Sequence, residues 1–156
     1  MPSVRRAEPH EAEAVARLIA DFRDHMGLEG PSDPAIRAGV ERLIGDPDTE
    51  FLLAAQTPGE PPQGVAQLRF RFGIWREGGD CLLEDLFVSA GARGAGLGRA
   101  LIEAMLERAR ARGCRRVELD VNERNTGALA LYEAAGFSAT NNPYGSRDLY
   151  MRLHLG

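Results

Sequence analysis

The sequence contains no lysine, and all nineteen of its basic residues are arginine. That absence excludes Schiff-base catalysis by the chain and the phosphate-binding lysine of a P-loop. Only two cysteines occur, Cys81 and Cys114, and neither belongs to a C-x-x-C pair or to a Cys/His cluster at metal-ligand spacing. No metal is therefore expected, and the cysteine usage reads as reduced, cytoplasmic chemistry. No apolar run approaches the roughly eighteen residues of a membrane span. Glu8, Glu11, Glu13 and Asp21 interrupt the start of the chain, where a signal peptide would need an apolar core. Basic charge is not in excess either: 23 acidic residues against 19 basic ones give a net charge of -4. A dedicated nucleic-acid binder rests on a broadly basic surface, so that class is disfavoured. An anionic ligand must then be held locally.

What is present is one ordinary domain, residues 1–156, with 44% hydrophobic and 27% charged residues and enough chain to bury a core without disulfides. Ser3 to Ala7 reads as a short strand. Ala14, Val15, Leu18, Ile19 and Phe22 repeat at helical spacing, giving a first helix to about Met26. Asp33-Pro34 reads as the N-cap and first residue of a second helix carrying Ile36, Val40, Leu43 and Ile44. Residues 51–56 and 64–72 alternate as strands around the proline-rich loop 57–62. In the second of these, Val65, Gln67, Arg69 and Arg71 share one face, which reads as wet or functional. Cys81 to Val88 is the most apolar strand, and a glycine-rich turn leads from it into a helix over 97–112 that Gly113 ends. Val117, Leu119 and Val121 predict a further strand, followed by a helix from Asn125 to Gly136 and two strands over 137–140 and 147–153. The order β-α-α-β-β-β-α-β-α-β-β describes an α/β fold with a mixed sheet covered by helices.

The turn Ser89-Ala90-Gly91-Ala92-Arg93-Gly94-Ala95-Gly96-Leu97-Gly98-Arg99 brings backbone amides and the positive end of a helix together, a site suited to pyrophosphate. It is not the dinucleotide fingerprint, because counting from Gly94 and Gly96 the third glycine position holds Arg99. The alternative for the turn on its own, and the lesser one, is a plain connection that turns the chain.

Arg93-Gly94-Ala95-Gly96-Leu97-Gly98 resembles the R/Q-x-x-G-x-G/A signature of the GCN5-related N-acetyltransferase (GNAT) superfamily. Leu83-Glu84-Asp85-Leu86-Phe87-Val88 resembles that family's central strand. Leu119 to Asn122, with Asn125, Ala128, Leu131-Tyr132 and Gly136-Phe137, resembles its next strand and helix. The resemblance implies a GNAT fold with a splayed parallel strand pair, acetyl-CoA as co-substrate and a small-molecule amine as acceptor; dimers are common in the family. It further implies that the amides from Arg93, Gly94, Ala95, Gly96, Leu97, Gly98 to Arg99 hold the CoA pyrophosphate. By the same carry-over, the backbone of Leu86, Phe87 and Val88 pairs with pantetheine, Asn125 contacts CoA, and Tyr132 is the general acid. Seven residues of helix put Asn125 and Tyr132 on one face, about 10 Å apart along the axis.

A lysine-like amine is about one part in 2,500 neutral at pH 7, so a base is useful to the attack. Glu84, a carboxylate amid Leu82, Leu83, Leu86 and Phe87, is the candidate base or acceptor-binding group, and pairing with Arg69 or Arg71 is the structural alternative. The central block looks most like the diamine and polyamine branch, including its thialysine-type relatives. That narrower likeness favours a cationic acceptor attracted by Glu84 and Asp85, with Trp75 and Tyr144 as apolar or cation-π walls. Arg69, Arg71 and Arg76 depart from it, and an acceptor with its own carboxylate is the variant they favour. Two rivals stand beside this reading: a protein N-terminal or lysine acetyltransferase, and a non-catalytic acyl-CoA-binding module. His10, His25 and His154 are isolated in the sequence and receive no role.

Overall fold

Alternation of apolar residues builds a five-stranded sheet with strand order β1-β2-β3-β4-β5. The computed structural model describes residues 1–156. β1 (Ser3–Arg6), β2 (Thr49–Ala55), β3 (Gly64–Gly73) and β4 (Gly78–Val88) pair antiparallel in turn, and β5 (Cys114–Glu118) runs parallel to β4. Two compact units divide the chain, Met1–Leu119 and Asp120–Gly156, and the sheet lies wholly in the first.

Helices cover both faces of that sheet. On one face, α1 (Ala12–His25) and α2 (Asp33–Ile44) bury Val15, Leu18, Ile36 and Val40 against Phe51, Leu53, Val65 and Phe87. α3 (Leu97–Ala111) turns Leu101, Ile102 and Met105 inward and packs on β2, β3 and β4. Gly64 permits this approach: a Cβ there would stand 3.2 Å from Leu101 Cδ1 and 3.3 Å from the Cβ of Ala54. One buried ion network ties α3 to β2. The Glu50 side chain, 0% exposed, accepts hydrogen bonds from Arg108 Nε and Nη2 at 2.6 and 2.8 Å and from Arg112 Nη1 at 3.2 Å. The Arg112 guanidinium also lies 3.9 Å over the Phe70 ring. The arginine-rich end of α3 is thus largely internal bracing rather than a free basic patch.

Several expected elements shift. The N-cap of α2 is Ser32, whose Oγ accepts from the Ala35 amide, so Asp33 is the first helical residue and not the cap. The strand expected to include Val117, Leu119 and Val121 stops at Glu118 instead, because its parallel pairing with β4 ends at Leu82↔Glu118. The wet face of β3 begins only at Arg69, since Val65 and Gln67 are buried.

The second unit holds α4 (Thr126–Ala134). The strands expected over 137–140 and 147–153 do not form. Ser138 and Asn142 bind their own neighbourhood instead: Ser138 Oγ accepts from the Thr140 amide, and Asn142 Oδ1 accepts from the Tyr144 and Gly145 amides. Such local side-chain bonds compete with a ladder. A single backbone bond, Asp148 N–H to Ala139 O at 3.3 Å, joins the two segments.

Candidate active site

The central feature is where β4 loses its parallel partner. β5 pairs only with Gly79 to Leu82, so the edge of β4 from Leu83 to Val88 has no strand on that side. Its peptide groups there are donors and acceptors for an extended ligand. Phe87 is buried in the core and stacks on Phe22 at 5.1 Å, while Leu86 and Val88 are half-buried.

β4 runs directly into the glycine turn. Gly94 and Gly96 have φ of 82° and 83°, left-handed values at which a side chain would be strained. Gly96 is the N-cap of α3 and makes no side-chain capping bond; the first turn carries no acidic residue. Its leading amides are therefore available to an anion, aided by the helix dipole. Leu97 is 1% exposed, so its side chain belongs to the core and only its amide belongs to the turn. Arg99 reaches Glu103 at 3.0 Å along the helix. This donor set fits the phosphate end of a CoA thioester, and the unpaired strand edge fits an amide-bearing arm.

Arg93 does not point freely outward. Its Nε donates to Val88 O at 3.2 Å, and its Nη2 lies 3.2 Å from His25 Nε2. Arginine has no acceptor, so His25 Nε2 accepts and the imidazole carries its proton on Nδ1. The His25 ring also lies 5.9 Å from that of Phe87. Sequence reasoning gave His25 no role, because 68 residues separate it from Arg93 and no motif marks the pair.

Glu84 sits at an irregularity in the β3–β4 register: Gln67 faces Asp85 and Leu68 faces Leu83, leaving Glu84 unopposed. A bulge of this kind re-aims a side chain. The Glu84 side chain is 43% exposed, against the expectation of a carboxylate enclosed by leucines. Its Oε2 receives long contacts, 3.4 Å from Arg69 Nη1 and 3.5 Å from Gln67 Nε2. Asp85 is half-buried on the same strand. Trp75 lies elsewhere, at the β3–β4 hairpin tip and 93% exposed; the six steps along β4 from Gly78 to Glu84 span about 20 Å. The hairpin end has its own hollow of about 280 Å³, lined in part by Arg71, Trp75, Arg76 and Arg116.

Both cysteines are free thiols, and burial pushes Cys81 up to about 12, so it keeps its proton at neutral pH. Cys81 is no nucleophile.

In the second unit, Asn125 is the N-cap of α4, its Oδ1 accepting from the Ala128 amide at 3.2 Å. Tyr132 is buried, with its ring edge-on to Phe137 at 6.1 Å. Gly136, at φ 100°, closes the helix: its amide donates to Glu133 O and that of Phe137 to Tyr132 O. This is a Schellman close, whose usual apolar contact is here the Tyr132–Phe137 pair. Tyr144 lies in the Asn142 turn and is 87% exposed.

The profile of the Acetyltransferase (GNAT) family matches residues 13–137, and the chain belongs to that family. It is an acetyltransferase. Thialysine N-epsilon-acetyltransferase of Bos taurus is 30% identical over 143 residues, covering 85% of this chain and 82% of the relative. Aminoglycoside N(6')-acetyltransferase type 1 of Stenotrophomonas maltophilia is 30% identical over 158 residues, covering 99% and 94%. Among solved structures, a chain from Arthrobacter sp. FB24, assigned to the acetyltransferases, superposes with a TM-score of 0.86 at 36% identity, covering 98% of this chain and 96% of that one.

Proposed function

We propose that the protein transfers an acetyl group from acetyl-CoA to a primary amine of a small molecule, by direct attack in a ternary complex. The observation that carries this reading is the unpaired edge of β4 from Leu83 to Val88 running into the left-handed glycine turn and the uncapped N-terminus of α3. Family membership supplies the donor, since GNAT acetyltransferases use acetyl-CoA. The names of the thialysine, aminoglycoside and glucosamine 6-phosphate relatives support an amine acceptor.

In this reading, amides from Arg93 to Arg99 hold the pyrophosphate and the backbone of Leu86 to Val88 pairs with the pantetheine arm. The neutral amine attacks the thioester carbonyl carbon, the new C–N bond forms and the C–S bond breaks. Glu84, directly or through water, takes the proton the nitrogen loses. A strand amide between Leu86 and Val88 steadies the oxyanion. The leaving thiolate takes a proton from Tyr132, whose ring the Schellman close orients. The products are an amide and CoA thiol, with no covalent enzyme intermediate. Asn125, the N-cap of α4, is the residue to which the family resemblance gives a CoA contact. The reduced, cytoplasmic setting expected from the sequence belongs to this reading; no helix is long and apolar enough to cross a membrane. The single catalytic domain expected from chain length belongs to the same reading.

Calorimetric titration tests the donor half: acetyl-CoA is expected to bind in the micromolar range and NAD not at all. Amine-dependent release of CoA thiol tests the acceptor half. Absence of acetyl-CoA binding to folded protein would reduce the glycine turn to a connection.

A further inference from the structure

The face of the sheet that carries α1 and α2 is apolar at one end and charged at the other. Phe51, Leu53, Val65 and Phe87 lie beneath the helices. Beyond Gln67 the same face turns charged: Arg69 faces Leu82, Arg71 faces the buried Asp80, and across the parallel pair Leu82 faces Glu118 and Asp80 faces Arg116. The side chains of Arg69, Arg71, Glu84 and Glu118 are 39%, 66%, 43% and 40% exposed. Charges of both signs share this face, Arg69, Arg71 and Arg116 with Asp80, Glu84, Asp85 and Glu118. A polycation approaching Glu84 there also meets Arg69, 3.4 Å from it.

These charges are not evenly consumed. Arg116 is held by Asp80 at 2.9 Å and also by Glu118, and Arg71 reaches Glu118 at 3.5 Å and Asp80 at 3.9 Å. Arg69 makes a single long contact to Glu84, 3.4 Å, where Arg108 on Glu50 makes two at 2.6 and 2.8 Å. Most of the Arg69 guanidinium fork is still free to receive a planar anion. Glu84, its neighbour, is the carboxylate assigned to the amine.

We infer that the acceptor is an amine bearing an anionic group of its own, a carboxylate or a phosphate, with the amine on Glu84 and the anion on Arg69. This rests on the proposed acetyl transfer and specifies its acceptor. A zwitterion replaces the loose Arg69–Glu84 contact by two charge-assisted bonds without leaving either charge unpaired, whereas a diamine opposes Arg69. An added anion near Arg69 selects among amines by what it attracts and by what it leaves unpaired.

The test compares acceptors matched in the amine and differing in the anion: lysine against cadaverine, and glucosamine 6-phosphate against glucosamine. The anionic member of at least one pair is expected to have a kcat/KM higher by about ten-fold or more, the worth of one charge-assisted hydrogen bond. The pair that shows it separates carboxylate from phosphate. Arg69→Gln should collapse that ratio toward one through KM for the anionic acceptor, and Arg69→Lys, which keeps the charge but not the fork, should fall between. Preference for cadaverine or glucosamine, or a ratio that survives Arg69→Gln in folded protein, overturns the inference while leaving acetyl transfer intact. Turnover of none of these amines by protein that binds acetyl-CoA removes the amine acceptor and this inference with it.

Discussion

At the residue scale, two side chains carry the proposed mechanism, Tyr132 and Glu84, and a third, His25, positions the glycine turn through Arg93. Tyr132→Phe keeps the edge-on packing with Phe137 and loses only the hydroxyl, so turnover should fall by about a hundred-fold, the lower range for a general acid, while acetyl-CoA affinity holds. Steady-state kinetics with a parallel titration decides it, and unchanged turnover would remove Tyr132 from the mechanism. Glu84→Gln should weaken amine binding or shift the acidic limb of the rate profile; a variant matching the wild type on both counts retires Glu84. His25 acts through Arg93. His25→Phe keeps a ring against Phe87 but removes the acceptor for Arg93 Nη2, so KM for acetyl-CoA should rise about five-fold with kcat held, as one hydrogen bond is worth. His25→Gln, whose side-chain oxygen reaches the same position, should restore it. Nitrogen chemical shifts of His25 offer an independent check, since the geometry requires the Nδ1–H tautomer; a proton on Nε2 would contradict it.

At the element scale, the α3–β2 brace sets part of the response to acid. Burial by itself would push the Glu50 carboxyl up, but hydrogen bonds from Arg108 and Arg112 and the charges of Arg108 and Arg6 outweigh it, holding the group below the usual carboxylate range. A depressed folded value means stability that is present above the unfolded value, near 4.3 for glutamate, and lost as pH falls through the folded one. Arg5 acts alike on Glu11, whose carboxyl is held at about 2, so its contribution fades between the ordinary range and that value. Urea unfolding at pH 7 and pH 3 should therefore show Glu50→Gln well below wild type at pH 7, with the gap narrowing at pH 3. Arg108→Met should be the worse substitution at pH 7, by up to about 3 kcal/mol, because it leaves a buried charge short of its main partner. Equal losses at both pH values would mean that Glu50 acts through packing alone.

Also at this scale, legibility was uneven for physical reasons. The glycine turn, α3 and the closing of α4 at Gly136 are local events, set by backbone freedom and helical spacing over a few residues, and they lie where the residues predict. β5 ends at Glu118 although β4 runs on to Val88, because the two strands part after Leu82↔Glu118, a pairing between segments more than thirty residues apart in the chain. The segments 137–140 and 147–153 have strand-like alternation but Ser138 and Asn142 offer nearer bonds. Glu84 was found by its position in the motif, yet its exposure follows from the register shift between β3 and β4, which alternation alone does not reveal.

At the scale of the whole molecule, net charge is a poor guide to where charge acts. The chain carries -4 overall, yet Arg108, Arg112 and Arg116 are absorbed by Glu50, Asp80 and Glu118, while Arg69 keeps donors to spare. By itself the sequence determined the family, the glycine turn proposed for the anion, the absence of lysine chemistry and the candidate acid and base. These follow from short-range patterns in which each residue's neighbours along the chain are its neighbours in space. Tertiary structure alone decided that β4 loses its partner after Leu82, that His25 steadies Arg93, and that Arg69 stands open beside Glu84. Those are meetings of residues far apart in sequence, and only the packed sheet brings them within a hydrogen bond of one another.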